Sequence, residues 1–252
     1  MLNNDTLEKL RYMKLYGMAS AFKEQSEENI VNSLSFEERF GLVVDSEYTK
    51  RRNSLLQRLI TNSTLKISSA CMENIEYHPD RRLDKETLFK LSTCAYITDR
   101  RNVIIMGATG VGKTYVGCAL GMAACRKFLK VKYARLPELL VDISIARGDG
   151  SFRRMMNQYR KYDLLILDEW LLVPLDTAMA LDILEIIEAR HENTSTIFIS
   201  QSSPGGWHSM IGEGRIADAV LDRILHNSYE IVIGGDSMRQ KNSFKRTTEN
   251  KQ

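Results

Sequence analysis

The eight residues GATGVGKT at 107–114 have the types and spacing that most directly suggest chemistry. They fit the pattern G-x-x-x-x-G-K-[ST], in which glycines let backbone N–H groups turn toward phosphate oxygens and the lysine reaches the β- and γ-phosphates. The threonine hydroxyl can ligate magnesium. We therefore predict a site for ATP and Mg²⁺. Its predicted residues are Gly107, Ala108, Thr109, Gly110, Val111, Gly112, Lys113, Thr114 and Tyr115.

A pair of adjacent carboxylates follows in LLILDEW at 164–170. Four apolar residues indicate a buried strand that delivers Asp168 to its C-terminal end, where open α/β sheets bind ligands. Asp168 suits magnesium coordination, directly or through water, and Glu169 can orient and polarise an attacking water. The alternative is an acidic cap on the next segment. Together with Lys113, the pair favours Mg²⁺-dependent ATP hydrolysis.

Two further polar residues are candidates for the same reaction. Gln201 follows the strand run TIFIS at 196–200, and its amide could contact the γ-phosphate or the water. Arg223 lies near the edge of the apolar face of IADAVLDRIL at 216–225, from which it could reach the ATP of a neighbouring subunit. A polar strand end and a surface pair of Asp222 with Arg223 are the alternatives.

The elements that would position these residues alternate in type from about residue 100. Helical stretches are predicted at 115–129, 137–147, 151–161 and 177–192. The strand runs are NVIIM (102–106), VKYAR (131–135), LLILD (164–168), TIFIS (196–200) and EIVIG (230–234). Such alternation predicts an α/β fold with a mainly parallel sheet. One strand-plus-helix unit separates the two motifs, which is typical of ATPases with a catalytic glutamate and argues against simple nucleotide kinases and small GTPases.

The region before this core is rich in helix-forming residues. Ser35 precedes Glu37 and Glu38, which predicts a capped helix from Phe36 to Leu59. The stretch 61–86 is more broken and is interpreted as a connector. We predict a helical N-terminal domain over 1–95, a core over 96–240 and a basic, disordered tail over 241–252.

Composition is that of an ordinary globular protein. The 252 residues are 43% hydrophobic and 27% charged, with a formal net charge of +3. The four cysteines form no C-x-x-C pair, and no histidine cluster completes a metal site, so we expect reduced thiols. The N-terminus has no signal-peptide core and no apolar run is long enough to span a bilayer, so we expect a cytoplasmic protein.

Basic residues suggest where nucleic acid could bind. One group lies in a stretch without acidic residues at 48–72, and the other lies in the core. Outward-facing cations on a helix suit phosphate contacts without base reading, although acids at 37, 38, 45 and 47 allow an ordinary solvated face. The candidates for DNA binding are Lys50, Arg51, Arg52, Arg58, Arg147, Arg153 and Arg154.

Several segments together resemble the IstB family, the helper ATPases of bacterial insertion sequences, which are similar to the DnaC helicase loaders of the AAA+ superfamily. The resemblance covers nearly the whole chain, including LSFEERFGLVVDSEYTKRRN at 34–53. The motifs that carry it are GATGVGKT, LLILDEW, SQ at 200–201, WH at 207–208, IADAVLDRIL and GDSMR at 235–239.

The resemblance implies an AAA+ core with a parallel five-stranded sheet flanked by helices, after a small all-α N-terminal domain. Many AAA+ proteins also carry a separate helical lid, but the stretch after EIVIG is too short for one, so we expect no separate C-terminal lid. It implies homo-oligomers that assemble on double-stranded DNA, deform it, and recruit or stimulate a cognate transposase in the bacterial cytosol. Because no helix-turn-helix, zinc-finger or RNP motif is evident in the sequence, we expect binding that is largely independent of DNA sequence. Arg223 matches the arginine-finger position, and Arg239 could partly replace the second sensor of a lid. A DnaC-like helicase loader and a non-hydrolysing, nucleotide-switched DNA-binding adaptor remain the alternatives.

Overall fold

The computed structural model describes residues 2–27, 34–212 and 214–238. The chain divides into two compact units, 1–58 and 59–252. Arg239 and the tail over 241–252 lie outside the described residues, so their predicted roles stay predictions. In the described part, no helix is long and apolar enough to cross a membrane.

The first unit is helical. It contains α1 (Leu2–Tyr12), α2 (Tyr16–Glu27) and most of α3 (Phe36–Ser63). The α3 helix begins at the predicted cap, where Ser35 Oγ accepts from the Glu38 N–H at 3.2 Å and the Glu38 carboxylate accepts from the Ser35 N–H at 2.8 Å. This reciprocal capping satisfies two backbone donors that the first turn leaves unpaired.

The second unit carries the α/β core. Two short 3₁₀ helices, Met72–Asn74 and Pro79–Arg81, precede it. Its helices are α4 (Lys85–Ser92), α5 (Ala95–Thr98), α6 (Lys113–Arg126), α7 (Leu136–Gly148), α8 (Phe152–Tyr159), α9 (Thr177–Arg190), α10 (Pro204–Ile211) and α11 (Gly214–Leu225). Its strands are β1 (Asn102–Gly107), β2 (Val131–Arg135), β3 (Leu164–Asp168), β4 (Ser195–Ser200) and β5 (Ser228–Ile233).

All five strands are parallel, in the order β2-β3-β4-β1-β5. Every residue of β3 and β4 is buried, which explains why their sequences are apolar runs rather than alternating patterns. The chain leaves β1 for one edge of the sheet and later returns past β1 to β5 at the other edge. This reversal places the C-terminal end of β1 where ligands of open α/β folds bind, so the predicted fold class is confirmed.

The boundary between compact units lies at Arg58, earlier than residue 95. The segment after it packs with the α/β core. Thr64 Oγ1 donates to the Tyr133 carbonyl at 2.9 Å, and the Arg81 side chain donates to the Val111 carbonyl at 3.0 Å. The broken stretch therefore belongs structurally to the core that it precedes.

Candidate nucleotide-binding site

The glycine-rich loop connects the end of β1 to the start of α6. Gly112 is the residue before the first helical turn and has φ +96°, a left-handed conformation that favours glycine. A Cβ atom at Gly112 would also lie 3.0 Å from Arg81 Nη2. Lys113 Nζ donates to the carbonyls of Gly107 and Ala108, each at 2.7 Å, which places the ammonium over the loop. A helix N-terminus combined with this cation suits an anionic ligand.

Asp168 lies at the end of β3, close to the loop, and is 4% exposed. Its Oδ2 accepts from the Thr114 hydroxyl at 2.8 Å and from the Tyr133 hydroxyl at 2.7 Å. Burial and the bond to Asp168 raise the pKa of Tyr133 far above its ordinary value, so this phenol stays a donor at neutral pH. The structure thus brings Thr114 and Asp168 together, as their places in the sequence predict.

Glu169 has φ +56°, which is uncommon for a residue with a side chain. Its carboxylate receives two hydrogen bonds from Arg135, at 3.1 Å and 2.7 Å. Arg135 also pairs with Glu138, and the bonds to Glu169, followed by those to Glu138, raise its pKa. Arg135 was not among the predicted site residues, although it ends β2 and pairs in register with Asp168 of β3.

Trp170 anchors the turn that presents Glu169. Its backbone N–H donates to the Ile199 carbonyl at 2.8 Å, and its carbonyl accepts from the Ser200 hydroxyl at 3.0 Å. Its ring lies 4.7 Å from that of Phe198 and 5.8 Å from that of Trp207, in edge-to-face contacts. These contacts fix the backbone on both sides of the turn, so the strained position of Glu169 is held by the core.

Two more predicted site residues have clear positions. Gln201, just beyond β4, accepts a hydrogen bond from the Thr109 hydroxyl at 2.8 Å, so it lies beside the glycine-rich loop. Tyr115 instead directs its hydroxyl to the backbone of Cys71, at 3.4 Å from the N–H and 3.5 Å from the carbonyl oxygen. Gln201 is thus the better placed of the two for contact with a phosphate.

Arg223 is engaged by residues of its own chain. Its Nε lies 2.5 Å from Glu188 Oε2 on α9, and an Nη1–H donates to the Ala219 carbonyl at 2.9 Å. The neighbouring Asp222 pairs with His226 at 2.8 Å. None of these contacts joins Arg223 to the glycine-rich loop of the same chain, so its predicted role as an arginine finger stays a prediction.

The predicted DNA-binding residues of α3 are exposed, and Arg51 and Arg52 are paired with neighbours on the same helix. Arg51 donates to Glu47 at 2.6 Å, and Arg52 donates to the Tyr48 hydroxyl at 2.7 Å. The bond from Arg51 lowers the pKa of Glu47, as do the N–H groups of Gly17 and Met18 at the start of α2. No sequence pattern pointed to Lys14, which adds a fourth cation to one groove of this unit. The basic residues lining this groove are Lys14, Lys50, Arg51 and Arg58.

The basic residues of the core divide into two kinds. Arg147 forms ion pairs with Asp182 and Glu185, and its guanidinium lies 4.0 Å from the centroid of the Phe152 ring. Arg153 and Arg154 on α8 are exposed. Arg147 therefore helps to pack α7 against α9, whereas Arg153 and Arg154 face solvent.

Comparison with known proteins agrees with this geometry. A protein of Sinorhizobium fredii named as an insertion sequence ATP-binding protein is 39% identical over 95% of this chain and 98% of its own length. The ATP-binding protein of insertion sequence IS1162 from Pseudomonas fluorescens is 42% identical over 80% of this chain and 87% of its own. The crystal structure of the DnaC helicase loader matches 66% of this chain and 97% of its own at 19% identity, with a TM-score of 0.53, which shows a shared fold. The family model described as IstB-like ATP binding protein matches residues 8–246, and the chain belongs to that family.

Proposed function

We propose that this protein is a Mg²⁺-dependent ATPase that assembles on duplex DNA and recruits or stimulates a transposase. The observation that carries the proposal is the contact of the Thr114 hydroxyl with Asp168, 2.8 Å apart, beside the glycine-rich loop with Lys113. It combines, in one place, the groups that hold phosphate and those that hold a hard cation.

The residues present fit the two ligands. A hydroxyl and a carboxylate oxygen are the ligand types that Mg²⁺ prefers, and a site with so few protein donors suits an ion that keeps several waters. Magnesium neutralises charge on the phosphates when bound. The loop N–H groups and Lys113 hold the phosphate oxygens, and Gln201 lies beside Thr109 to contact the terminal phosphate.

Hydrolysis needs a positioned water and stabilisation of developing charge. Glu169 stands next to Asp168 and supplies a carboxylate that orients and polarises the water. Arg135 holds that carboxylate in one orientation through two bonds. Arg223 of a neighbouring subunit supplies positive charge, after leaving its partner Glu188.

The proposed partners have separate support. Two relatives over most of this chain carry names that place them in insertion sequences, which supports action with a transposase. Exposed cations on α3 and α8 support binding to the DNA backbone. Because none of these cations belongs to a base-reading motif, we infer binding that depends little on sequence.

The test measures ATP turnover and particle size with and without duplex DNA, in ATP and in ADP. We expect DNA to stimulate turnover and ATP to favour large assemblies on DNA. The Glu169→Gln variant should assemble in the same way, with turnover slowed about 100-fold. Nucleotide-dependent DNA binding without turnover in the wild type would instead support an adaptor. A stable complex with a replicative helicase would support a loader.

A further inference from the structure

The phosphate loop has a second requirement besides glycine, which is that its peptide planes must be held in one orientation. The described residues contain no cis peptide bond, so the N–H and C=O of each loop peptide point in opposite directions. For the N–H groups of Val111 and Gly112 to face a phosphate, the carbonyls of Gly110 and Val111 must face away from it. Those outward carbonyls then need donors of their own.

Both carbonyls have such donors, and both donors come from distant parts of the chain. The Val111 carbonyl accepts from Arg81 Nη2 at 3.0 Å. The Gly110 carbonyl accepts from the backbone N–H of Met238 at 3.0 Å. The two peptides that would present N–H groups to phosphate are therefore held by hydrogen bonds to their carbonyls, on the side away from the phosphate.

Arg81 is buried and hydrogen-bonded at this position. It is 5% exposed, and its Nη1 donates to the Glu76 carbonyl. Its own carbonyl accepts from the Gly234 N–H at 2.9 Å, which ties it to the end of β5. The segment 234–238 then continues to the loop, where Met238 binds.

The surroundings of Arg81 leave its guanidinium suited to a nearby anion. Among the described residues, no carboxylate forms an ion pair with it, and its Nε is buried without a hydrogen-bond partner. The guanidinium also lies near the positive N-terminal end of α6 and close to Gly112. A buried guanidinium without a carboxylate partner is stabilised by an anion nearby, and the loop beside it is the predicted phosphate site.

We propose that Arg81 is a positioning residue for nucleotide binding, which, together with the Met238 N–H, holds the loop peptides with their N–H groups toward the phosphates. The proposal rests on nucleotide binding at this loop, as stated in the proposed function. It adds that the C-terminal segment 234–238 and the turn at 79–81 form the outer wall of the loop.

The first test compares three variants in the full chain. Arg81→Met removes the donors, Arg81→Lys keeps the charge and one donor direction, and Arg82→Met changes the neighbouring arginine, which is exposed. We expect Arg81→Met to raise the Kd for ATP and ADP about tenfold, the effect of losing one charge-assisted hydrogen bond. Arg81→Lys should recover part of the affinity, and Arg82→Met should bind as the wild type does.

Titration calorimetry, well below each melting temperature, separates this role from stability. A folded Arg81→Met variant with a lower Tm but unchanged Kd would overturn the proposal. KM should rise more than kcat falls, because Arg81 does not touch the reacting atoms. If the wild type binds no nucleotide, the proposed function itself fails, and that result is distinct from equal binding by wild type and variant.

A second pair of variants keeps the proposal testable if Arg81→Met does not fold. Met238→Pro removes the backbone N–H, whereas Met238→Ala keeps it. Met238 lies near the end of the described chain and is only half-buried, so neither change disturbs the sheet. We expect weaker nucleotide binding by the proline variant than by the alanine variant. Equal affinities would overturn the proposal.

Discussion

The α/β core and the helical unit both carry charged residues, but they hold them in opposite ways. In the core, Asp168 is almost fully buried, and Glu169 receives two bonds from Arg135. In the helical unit, Arg52 and Arg58 lie exposed on α3. The site in the core thus gives Asp168 and Glu169 one position each, whereas α3 offers an exposed charged surface.

This difference corresponds to the different demands of phosphoryl transfer and of binding to a DNA backbone. Phosphoryl transfer depends on atoms placed to within a fraction of an ångström, so its residues sit at strand ends with several partners each. Binding to a DNA backbone depends on summed positive charge and tolerates movement of single side chains. We therefore expect single substitutions to be severe in the core site and mild on α3.

The largest effect should come from Lys113→Ala. It removes the ammonium that lies over the loop and is proposed to contact the phosphates. We therefore expect nucleotide affinity to fall about 100-fold or more and turnover to be lost. Calorimetric titration with ATP measures it. The control Arg58→Ala, on α3, should bind ATP normally. Equal losses of ATP affinity in Lys113→Ala and Arg58→Ala would contradict the difference between the two units.

The next effect should come from Arg223→Ala. A trans-acting arginine contributes about a thousandfold to turnover, so hydrolysis should slow to that extent while ATP binding persists. Mixing this variant with Lys113→Ala should restore some turnover, since each supplies what the other lacks at a shared interface. Glu188→Gln, which removes only the intrachain partner, should stay active. No rescue at any mixing ratio would exclude the trans role.

Glu169→Gln should slow turnover about 100-fold, because the amide is a poor base for the attacking water. Its ATP affinity should stay near that of the wild type, which a single-turnover assay combined with titration would show. A normal rate of hydrolysis would remove Glu169 from the reaction. Glu138→Gln, which alters the other partner of Arg135, serves as the control.

A smaller effect is expected on α3. The double variant Arg52→Gln with Arg58→Gln should weaken duplex binding about tenfold at low salt. It should also lower the slope of log K against log salt by roughly 0.9 for each phosphate that the protein no longer neutralises. Arg51 is left unchanged because it pairs with Glu47, which is tied to α2. Unchanged affinity and slope would move the DNA site away from α3.

The smallest effect on DNA should come from Arg147→Met. Because Arg147 pairs with Asp182 and packs on Phe152, its loss should cost about 1 kcal/mol or less of stability, with little change in duplex affinity. Arg153→Met on α8 should instead weaken duplex binding, with little change in stability. Thermal melts and binding curves of both variants test this. A DNA defect in Arg147→Met alone would reverse the assignment.

Local sequence was enough for the strands and for placing the two motifs at the ends of β1 and β3. The limits of β2 and β3 match the predicted runs. The β3 strand is fully buried, and such a parallel strand leaves an unbroken apolar pattern in the sequence. Helix α10 was missed, since Gly205 and Gly206 lower its helix propensity and its formation depends on burying Trp207.

Interactions between distant segments were the part that sequence could not reveal. Arg81 and Met238 reach the loop from opposite ends of the core, and no spacing rule connects them with Val111 or Gly110. Arg135 could have been predicted from the sequence, because a polar residue at the end of β2 lies beside the residue at the end of β3 once the two strands pair. The order of strands had to be known first.

The aromatic cluster behind Glu169 has a spectroscopic consequence. The chain has only two tryptophans, Trp170 and Trp207, and both lie buried in that cluster. Intrinsic tryptophan emission therefore comes entirely from the core and should respond to movement of the turn that carries Glu169. The helical unit is silent in this signal but contributes to the far-ultraviolet circular dichroism of helices. Melting followed by both signals would show whether the two units unfold together or one at a time.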